Sequence, residues 1–313
     1  MRPSKDRLLQ VVTCVEPGSD DVTFTHAVMA QCFLPLRKLP AGEKFYEVRH
    51  GRAALVIDAG RLLNPATTRF EQMDVPSGSA ARIALAHINN HVIRAKSLTD
   101  AMQVPMGESL RDFMDYQGVR ICGSNGKELT RQIHNLAAAR ITLGVWNGER
   151  ARQINTQIAD AIDFWLEKDR RQRTLWQPVM RVSEQYAAAV REHCVPHDMR
   201  ALIGLYENTR AMDIYVWLAY RLPRVRERTD VLVRFDDLKP VFGAGIGEPR
   251  KFRQLFKQSL RRALAWYPIG RVGIEKEGIR LFQSPSPVPI DCARSPYGRT
   301  VAGGRRRLQL VAE

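Results

Sequence analysis

The stretch EPRKFRQLFKQSLRRALAWY, residues 248–267, carries the strongest pattern in the chain. Placed on a helix at about 100° per residue, its apolar side chains fall together on one side. They are Phe252, Leu255, Phe256, Leu260, Ala263 and Trp266. The opposite side is almost purely basic, because no carboxylate occurs between Arg250 and Tyr267 and only Leu264 is apolar near its edge. The pattern predicts a helix that packs on one side and offers the other to a partner.

The basic side of this helix combines residue types that suit the major groove of DNA. Arg can bond guanine at O6 and N7, and Gln can bond adenine at N6 and N7. The centre of this side holds Arg250, Gln254, Lys257 and Arg261, and its shoulders hold Lys251, Arg253, Gln258 and Arg262. A merely solvated face is the alternative, but such faces usually mix charges of both signs. We therefore expect the central residues to read bases, and Arg253 and Arg262 to contact phosphates.

Composition points to a polyanionic partner. The 313 residues suffice for two domains, and the formal net charge is +15 with a pI near 10.0. Nucleic acid is favoured over a membrane surface, because basic residues recur on several segments and no basic helix presents an exposed set of Trp, Phe and Leu. A ribosomal-type basic protein is an alternative, although such chains are usually shorter and dominated by Lys.

Neither export nor membrane insertion is indicated. Met1–Gln10 contains charges but no apolar core of signal-peptide length, and Met212–Tyr220 is too short to span a bilayer. The cysteines are five, widely scattered and without a CxxC pair. This usage fits reduced thiols rather than a disulfide framework or a zinc site. We expect a cytoplasmic protein.

The first half of the chain predicts an arm, a hairpin and three helices. Residues 1–32 have weak periodicity and are expected to form a loose arm, followed by a β-hairpin that turns at Gly51 between strands 45–49 and 53–58. Ser79 is expected to cap a helix that buries a mostly apolar face. That face comprises Ile83, Leu85, Ala86, Ile88, Val92 and Ile93. A second helix is predicted over 108–117.

The third predicted helix has its own polar face. Asn125 is expected to cap it, with Glu128 completing a capping box. Leu129, Ile133, Leu136 and Ala137 are expected to face inward. The outer face, a second candidate DNA contact, consists of Lys127, Arg131, His134 and Asn135. For His134, a base contact, a phosphate contact and a solvated position all remain open.

A hairpin follows this helix, and the order then recurs. Strands are predicted over 141–146, 151–165 and 175–182, with a basic tip at 168–173, and Ser183 is expected to cap a short helix. The second half gives a helix at 209–222, a strand at 231–235, a short helix, the basic helix, and a hairpin over 271–282. Helix, helix, turn, helix and wing is the order of a winged-helix domain.

The predicted fold class is therefore α+β and helix-rich, with two tandem winged-helix domains. The predicted divisions are an arm at 1–32, a first domain at 33–194 with the preceding hairpin, a second at 195–285, and a mobile basic tail at 286–313. The tail prediction follows from its Pro, Gly and Arg content.

Several motifs in this order resemble the RepA-type plasmid replication initiators, from about Phe33 to Pro285. They are Phe33-Leu-Pro-Leu36, Asp74-Val-Pro-Ser-Gly78, Gly118 and Gly123, Val195-Pro-His-Asp-Met-Arg-Ala-Leu202, Thr209-Arg-Ala-Met-Asp-Ile-Tyr-Val-Trp-Leu-Ala-Tyr-Arg-Leu222 and the helix from Phe252 to Pro268. The chain departs from the family at Pro76-Ser77-Gly78 and in the few basic residues of its first outer face. Base reading is accordingly expected mainly from the second domain.

The resemblance implies a role in plasmid DNA replication. Such proteins bind direct repeats (iterons) in double-stranded DNA at a plasmid origin, help to open an A·T-rich segment, and recruit the host replication initiator and the replicative helicase. Members of the wider class also form homodimers. A winged-helix transcriptional regulator that binds a promoter palindrome is the alternative, since fold does not fix function.

Enzymatic chemistry is the weakest class. Gly123–Lys127 lacks the first glycine and the Ser or Thr of a phosphate-binding loop, and Gly243–Gly247 lacks dinucleotide-loop spacing. His87 and His91 have zinc spacing but no evident third ligand. Without a His-x-His pair or a cluster of carboxylates, a nicking enzyme or nuclease is disfavoured. We expect no catalytic residue, metal or cofactor.

Overall fold

The computed structural model describes residues 16–64, 67–106, 123–162 and 179–289, without the side chains of residues 123–125. Its helices are α1 (Gly78–Arg94), α2 (Leu98–Met102), α3 (Gly123–Ala138), α4 (Glu184–Glu192), α5 (Met199–Gly204), α6 (Thr209–Arg221), α7 (Phe235–Phe242) and α8 (Pro249–Ala265). Its strands are β1 (Val22–His26), β2 (Phe45–His50), β3 (Ala53–Asp58), β4 (Arg61–Asn64), β5 (Arg69–Gln72), β6 (Gln103–Pro105), β7 (Arg140–Trp146), β8 (Ala151–Gln157), β9 (Ala159–Ile162), β10 (Val179–Val182), β11 (Cys194–Asp198), β12 (Asp230–Arg234), β13 (Val272–Ile274) and β14 (Gly278–Phe282).

Mixed helix and sheet, as predicted, organise the chain around one continuous hydrophobic core. The predicted hairpin is confirmed: β2 and β3 pair antiparallel across a turn in which Gly51 has φ 58°. They are joined by β7 and β8 in a four-stranded sheet of order β2-β3-β7-β8. Buried Leu55 and Leu143 lie side by side on its inner face.

Two three-stranded sheets share one connectivity. In the first the order is β6-β10-β9, and in the second it is β12-β14-β13. In each, the last strand in sequence lies in the middle and pairs antiparallel with both neighbours. Helix α1 comes before β6 as α6 comes before β12, and α3 corresponds in order to α8. The described elements of the two halves thus follow a similar order, and among them the hairpin β7–β8 occurs in the first half alone.

Two predicted pieces of the first half lie outside the described residues, namely the helix at 108–117 and the basic hairpin tip at 168–173.

The prediction of a loose arm over 1–32 is wrong for residues 22–32. Strand β1 pairs along its whole length with β11, and Val22 and Phe24 are buried. The side chain of Thr23 donates to Ala86 O of α1 at 2.9 Å. The strand thus pairs with β11 and packs against α1, which local periodicity does not reveal. Pro196 lies within β11.

Two predicted helix caps are also wrong, and one is confirmed. Helix α1 begins at Gly78, so Ser79 lies inside it and its hydroxyl bonds Thr209 Oγ1 of α6 at 2.8 Å. Helix α3 begins at Gly123, which places Asn125 inside the helix. In α4, Ser183 accepts a hydrogen bond from the Tyr186 amide as expected.

The second half is built on an aromatic core. Helix α6 buries Tyr215 and Trp217, while Tyr220 is only half-buried beneath Arg224. The rings of Trp217 and Phe242 pack 5.6 Å apart. At the far end, Tyr267 Oη donates to Pro285 O and Val288 is buried. The prediction of a mobile tail is therefore wrong for residues 286–289, and its remainder lies outside the described residues.

Candidate nucleic-acid interface

Helix α8 has the amphipathic structure that the sequence predicts. It spans Pro249–Ala265, with proline at the first helical position, where a missing N–H costs nothing. Phe252, Phe256 and Leu260 are each at most 1% exposed. The ring of Phe256 packs 6.1 Å from that of Phe235 and 5.6 Å from that of Phe242, at the two ends of α7. This burial fixes which side of the helix faces solvent.

The solvent side of α8 is the basic side. Seven of the eight predicted contact residues are exposed: Arg250, Lys251, Arg253, Gln254, Gln258, Arg261 and Arg262. The eighth, Lys257, is half-buried. Within the described part of the chain, none of these eight side chains forms an ion pair with a carboxylate. The face therefore keeps its positive charge uncompensated.

Phe235 orders two of these cations. The guanidinium carbon of Arg253 lies 5.8 Å from the centroid of its ring, and Lys257 Nζ lies 5.3 Å from it. Such cation–π contacts favour one direction of each flexible side chain. The sequence analysis did not identify Phe235, because the contact depends on how α7 crosses α8.

The turn that leads into α8 is held by two side chains. Lys239 Nζ donates to Gly247 O at 2.9 Å, and Arg210 Nε donates to Phe242 O at 2.7 Å. Gly245 has φ 76°, a conformation that only glycine adopts readily. The start of α8 is thereby fixed relative to α6 and α7.

The hairpin β13–β14 follows α8, as predicted. Its strand residue Arg280 forms ion pairs with Glu275 and with Asp230 of β12. These carboxylates compensate the charge of Arg280. Lys276 and Glu277 lie at its tip.

The predicted second contact face, on α3, is mostly occupied by the protein itself. Asn135 is only 2% exposed, and its Oδ1 accepts from the Asp74 amide at 3.2 Å. The prediction that Asn135 faces outward is therefore wrong. The inner face of α3 is buried as predicted, and it consists of Leu129, Ile133, Leu136 and Ala137.

The segment before α1 is what covers this face. Gln132 Oε1 accepts from the Ser77 amide at 2.9 Å, while Arg131 pairs with Glu128 at 2.7 Å and lies 3.5 Å from Asp74. The expected capping box is wrong, because the Glu128 carboxylate binds Arg131 and Gln132. Of the four predicted residues, Lys127 alone is exposed, while Arg131 and His134 are half-buried and Asn135 is buried.

Histidines do not assemble into a metal site in the described residues. No group of three or more His, Cys, Asp or Glu side chains there could hold a metal ion. His87 Nε2 bonds Pro105 O and His91 Nε2 bonds Asp100 O, each at 3.0 Å. His134 is half-buried, and burial lowers its pKa.

Known structures resemble this fold. It is similar to the crystal structure of domains 2 and 3 of RctB, with a TM-score of 0.51 and 11% sequence identity, covering 82% of this chain and 96% of that chain. A second structure of RctB domains 2–3 has the same coverage, with 10% identity and a TM-score of 0.43. No curated protein matches the chain. The class defined by these features is a mixed helix and sheet protein with the RctB-like arrangement and a basic exposed helix.

The family follows from the sequence match. The model of the plasmid-encoded RepA protein family matches residues 75–236, more than half of the chain. The chain belongs to this family of plasmid replication initiators, as the motifs had indicated. No helix in the described ranges is both long and apolar enough to cross a membrane.

Proposed function

We propose that this protein initiates plasmid replication by binding repeated double-stranded DNA sites at an origin through α8. The observation that carries the proposal is the outward basic side of α8, with six cations that have no described carboxylate partner, on a helix whose other side is locked in the core. Family membership supports the replication role. Such a face favours DNA binding, because each phosphate that a cation neutralises releases counterions.

We further infer that both halves are winged-helix domains. The order α6, β12, α7, α8, β13, β14, with β14 central in the sheet, is that of a helix-turn-helix with a wing. In such domains the helix after the turn enters the major groove. The role of α8 would then be base recognition by Arg250, Gln254, Lys257 and Arg261.

The first domain would position the protein on the duplex and would contribute little to the recognition of base sequence. Its helix α3 uses Arg131, Gln132 and Asn135 to hold residues 74–77, which leaves Lys127 as its exposed cation. Phosphate contacts position a protein on the duplex but carry no sequence information directly. We therefore assign base reading to α8 alone.

The remaining functions proposed here rest on family membership. They are opening of adjacent A·T-rich DNA, recruitment of the host initiator and the replicative helicase, and formation of homodimers. The protein would act in the cytoplasm, without enzymatic activity of its own.

Fluorescence anisotropy tests the proposal. The protein is titrated against duplexes tiled across the DNA flanking its gene, from low to high salt, beside a scrambled duplex. A tile with short direct repeats should keep tight binding at a salt concentration where the scrambled duplex is released. Equal weakening of all tiles, with one steep salt slope, would reduce the protein to a phosphate binder.

A transcriptional regulator is the second candidate, since the same fold serves it. It predicts binding of a stable dimer to a palindrome instead of several copies to direct repeats. Incubation with supercoiled plasmid and Mg²⁺ addresses the third candidate, because a nicking enzyme or nuclease would convert it to open-circular or linear DNA.

A further inference from the structure

Two arginines from different halves of the chain belong to segments that contact the end of α7. Arg210, at the start of α6, donates from Nε to Phe242 O, the last residue of α7. Arg37 belongs to the segment that starts at Phe33, whose ring packs 5.5 Å from the ring of Phe242. Both residues thus belong to segments that contact Phe242, the last residue before the turn that leads into α8.

The charges of this pair are not compensated within the described residues. Burial lowers the pKa of Arg210, and the positive charge of Arg37 lowers it further. Asp213 raises the pKa of Arg210, but both carboxylate oxygens of Asp213 already accept hydrogen bonds from Arg82. Since guanidinium stays protonated in proteins, the two side chains repel each other.

The carboxylate that binds Lys38, the residue after Arg37, is also occupied. Asp74 pairs with Lys38 at 2.6 Å and with Lys44 at 2.8 Å. Arg37 itself is exposed and forms no hydrogen bond or ion pair with any described residue. For Arg210, the described partner is the Phe242 carbonyl at Nε, which leaves its terminal nitrogens as available donors. An anion placed between the two guanidiniums would replace repulsion by attraction.

We propose that Arg37 and Arg210 together bind one phosphate of the DNA backbone, at the end of α7 next to the base-reading face of α8. This inference rests on the proposed function and extends it from α8 to the first half of the chain. Guanidinium forks match phosphate oxygens in charge and geometry. Because Arg37 follows the segment bonded to α1 through Arg82, this contact would fix both halves on one duplex.

The test couples each arginine to a single phosphate. A set of origin duplexes, each with one neutral methylphosphonate at a different position, is titrated with wild type, Arg37→Gln and Arg210→Gln. In the wild type, one position should weaken binding clearly. Both variants should be insensitive to that substitution, and each should lower the slope of log K against log salt by about 1 on origin and scrambled DNA alike.

Arg152→Gln is the matched control. Arg152 is exposed on β8, at the opposite edge of the four-stranded sheet from β2, the strand that packs on α7. It should lose affinity when the same phosphate is neutralised, as the wild type does. Thermal unfolding of each variant checks that the loss of the Phe242 contact in Arg210→Gln has not unfolded the domain. Arg37→Gln leaves that contact intact and therefore tests the phosphate site independently of it.

The outcomes separate this inference from the proposed function. If no single phosphate couples to Arg37 or Arg210 while Arg250→Ala still weakens origin binding, the phosphate assignment is wrong and DNA binding stands. If the wild type does not prefer repeat-bearing DNA, the proposed function itself is wrong. Protection of the fold by inorganic phosphate that depends on both arginines, without coupling to DNA, would identify a site for free anions and overturn the assignment to the duplex.

Discussion

Arg82 of α1 and Asp213 of α6 form a buried bidentate ion pair, with Arg82 Nε 2.5 Å from one carboxylate oxygen and Nη2 2.7 Å from the other. The remaining donors of Arg82 reach three carbonyls, those of Leu34, Pro35 and Gly78. The guanidinium thereby forms five hydrogen bonds. These bonds connect the first half of the chain, the second half, and the segment between β1 and β2. The side chains are only 9% and 2% exposed.

Removing one partner of this pair should destabilise the fold strongly. Asp213→Ala leaves the Arg82 charge buried and unpaired, which typically costs about 3–5 kcal/mol in the free energy of unfolding. Urea denaturation at neutral pH measures it. Glu149→Ala, at an exposed turn residue, is the control and should change stability by less than about 0.5 kcal/mol. A loss below about 1 kcal/mol in Asp213→Ala would show that the pair is not a structural link.

Central and shoulder residues of α8 should differ in what they recognise. Arg250→Ala should relax sequence preference and cost roughly 1 to 3 kcal/mol on the specific site alone. Arg262→Ala should weaken all duplexes alike, because a phosphate contact carries no sequence information. Competition titrations with specific and scrambled DNA give both values. The base-reading assignment fails if the two variants lose specific and scrambled binding equally.

The covered face of α3 predicts a stability effect without a DNA effect. Asn135→Ala removes the buried acceptor of the Asp74 amide and should lower the free energy of unfolding by about 1–3 kcal/mol. Affinity for origin DNA, measured where the variant is fully folded, should stay at the wild-type value. Lys127→Ala, at the exposed residue of the same helix, should show the reverse pattern. A specific loss of DNA binding in Asn135→Ala would restore the sequence-based prediction.

Buried histidines should make the fold sensitive to acid. Burial lowers the pKa of His197 to about 4, whereas an unfolded histidine titrates near 6.5. Its contribution is complete above pH 6.5 and is lost as pH falls from 6.5 to about 4, because only the unfolded state takes up the proton. The free energy of unfolding should fall by about 1.4 kcal/mol per pH unit for this residue.

Urea denaturation from pH 7.5 to 5 checks this expectation. In His197→Gln the dependence on pH should be shallower by that amount, while His26 and His87, whose pKa values burial also lowers, continue to contribute. An unchanged pH slope in the variant would mean that His197 does not titrate differently on folding.

Local sequence patterns were sufficient to predict features that depend on a single element of the fold. The 3.6-residue pattern of 248–267 predicted α8 and its solvent side, and Gly51 predicted the turn between β2 and β3. Period and turn chemistry are local properties, so they are readable without knowing the partner. The same holds for Ser183, whose cap depends on the next three residues alone.

Long-range pairing is what the sequence did not reveal. The partner of β1 lies more than 160 residues away, and the backbone amides that donate to Asn135 and Gln132 belong to the segment before another helix. A polar helix face is expected to be solvated in the absence of other information. In the sequence, a side-chain amide that is buried and bonded to the backbone cannot be distinguished from a solvated one. Phe235 under Arg253 and Lys257 escaped notice for the same reason.

The pairing of β1 with β11 changes where the chain can be divided. Strand β11 runs directly into α5, so the predicted boundary between residues 194 and 195 cuts through the strand that residues 22–26 complete. A fragment of residues 195–285 would begin with an open β-edge and would leave the otherwise buried Val195 and His197 exposed to water. A separately supplied peptide covering residues 16–34 would restore this edge, so the predicted arm and the predicted second domain would act as complementing pieces of one folding unit.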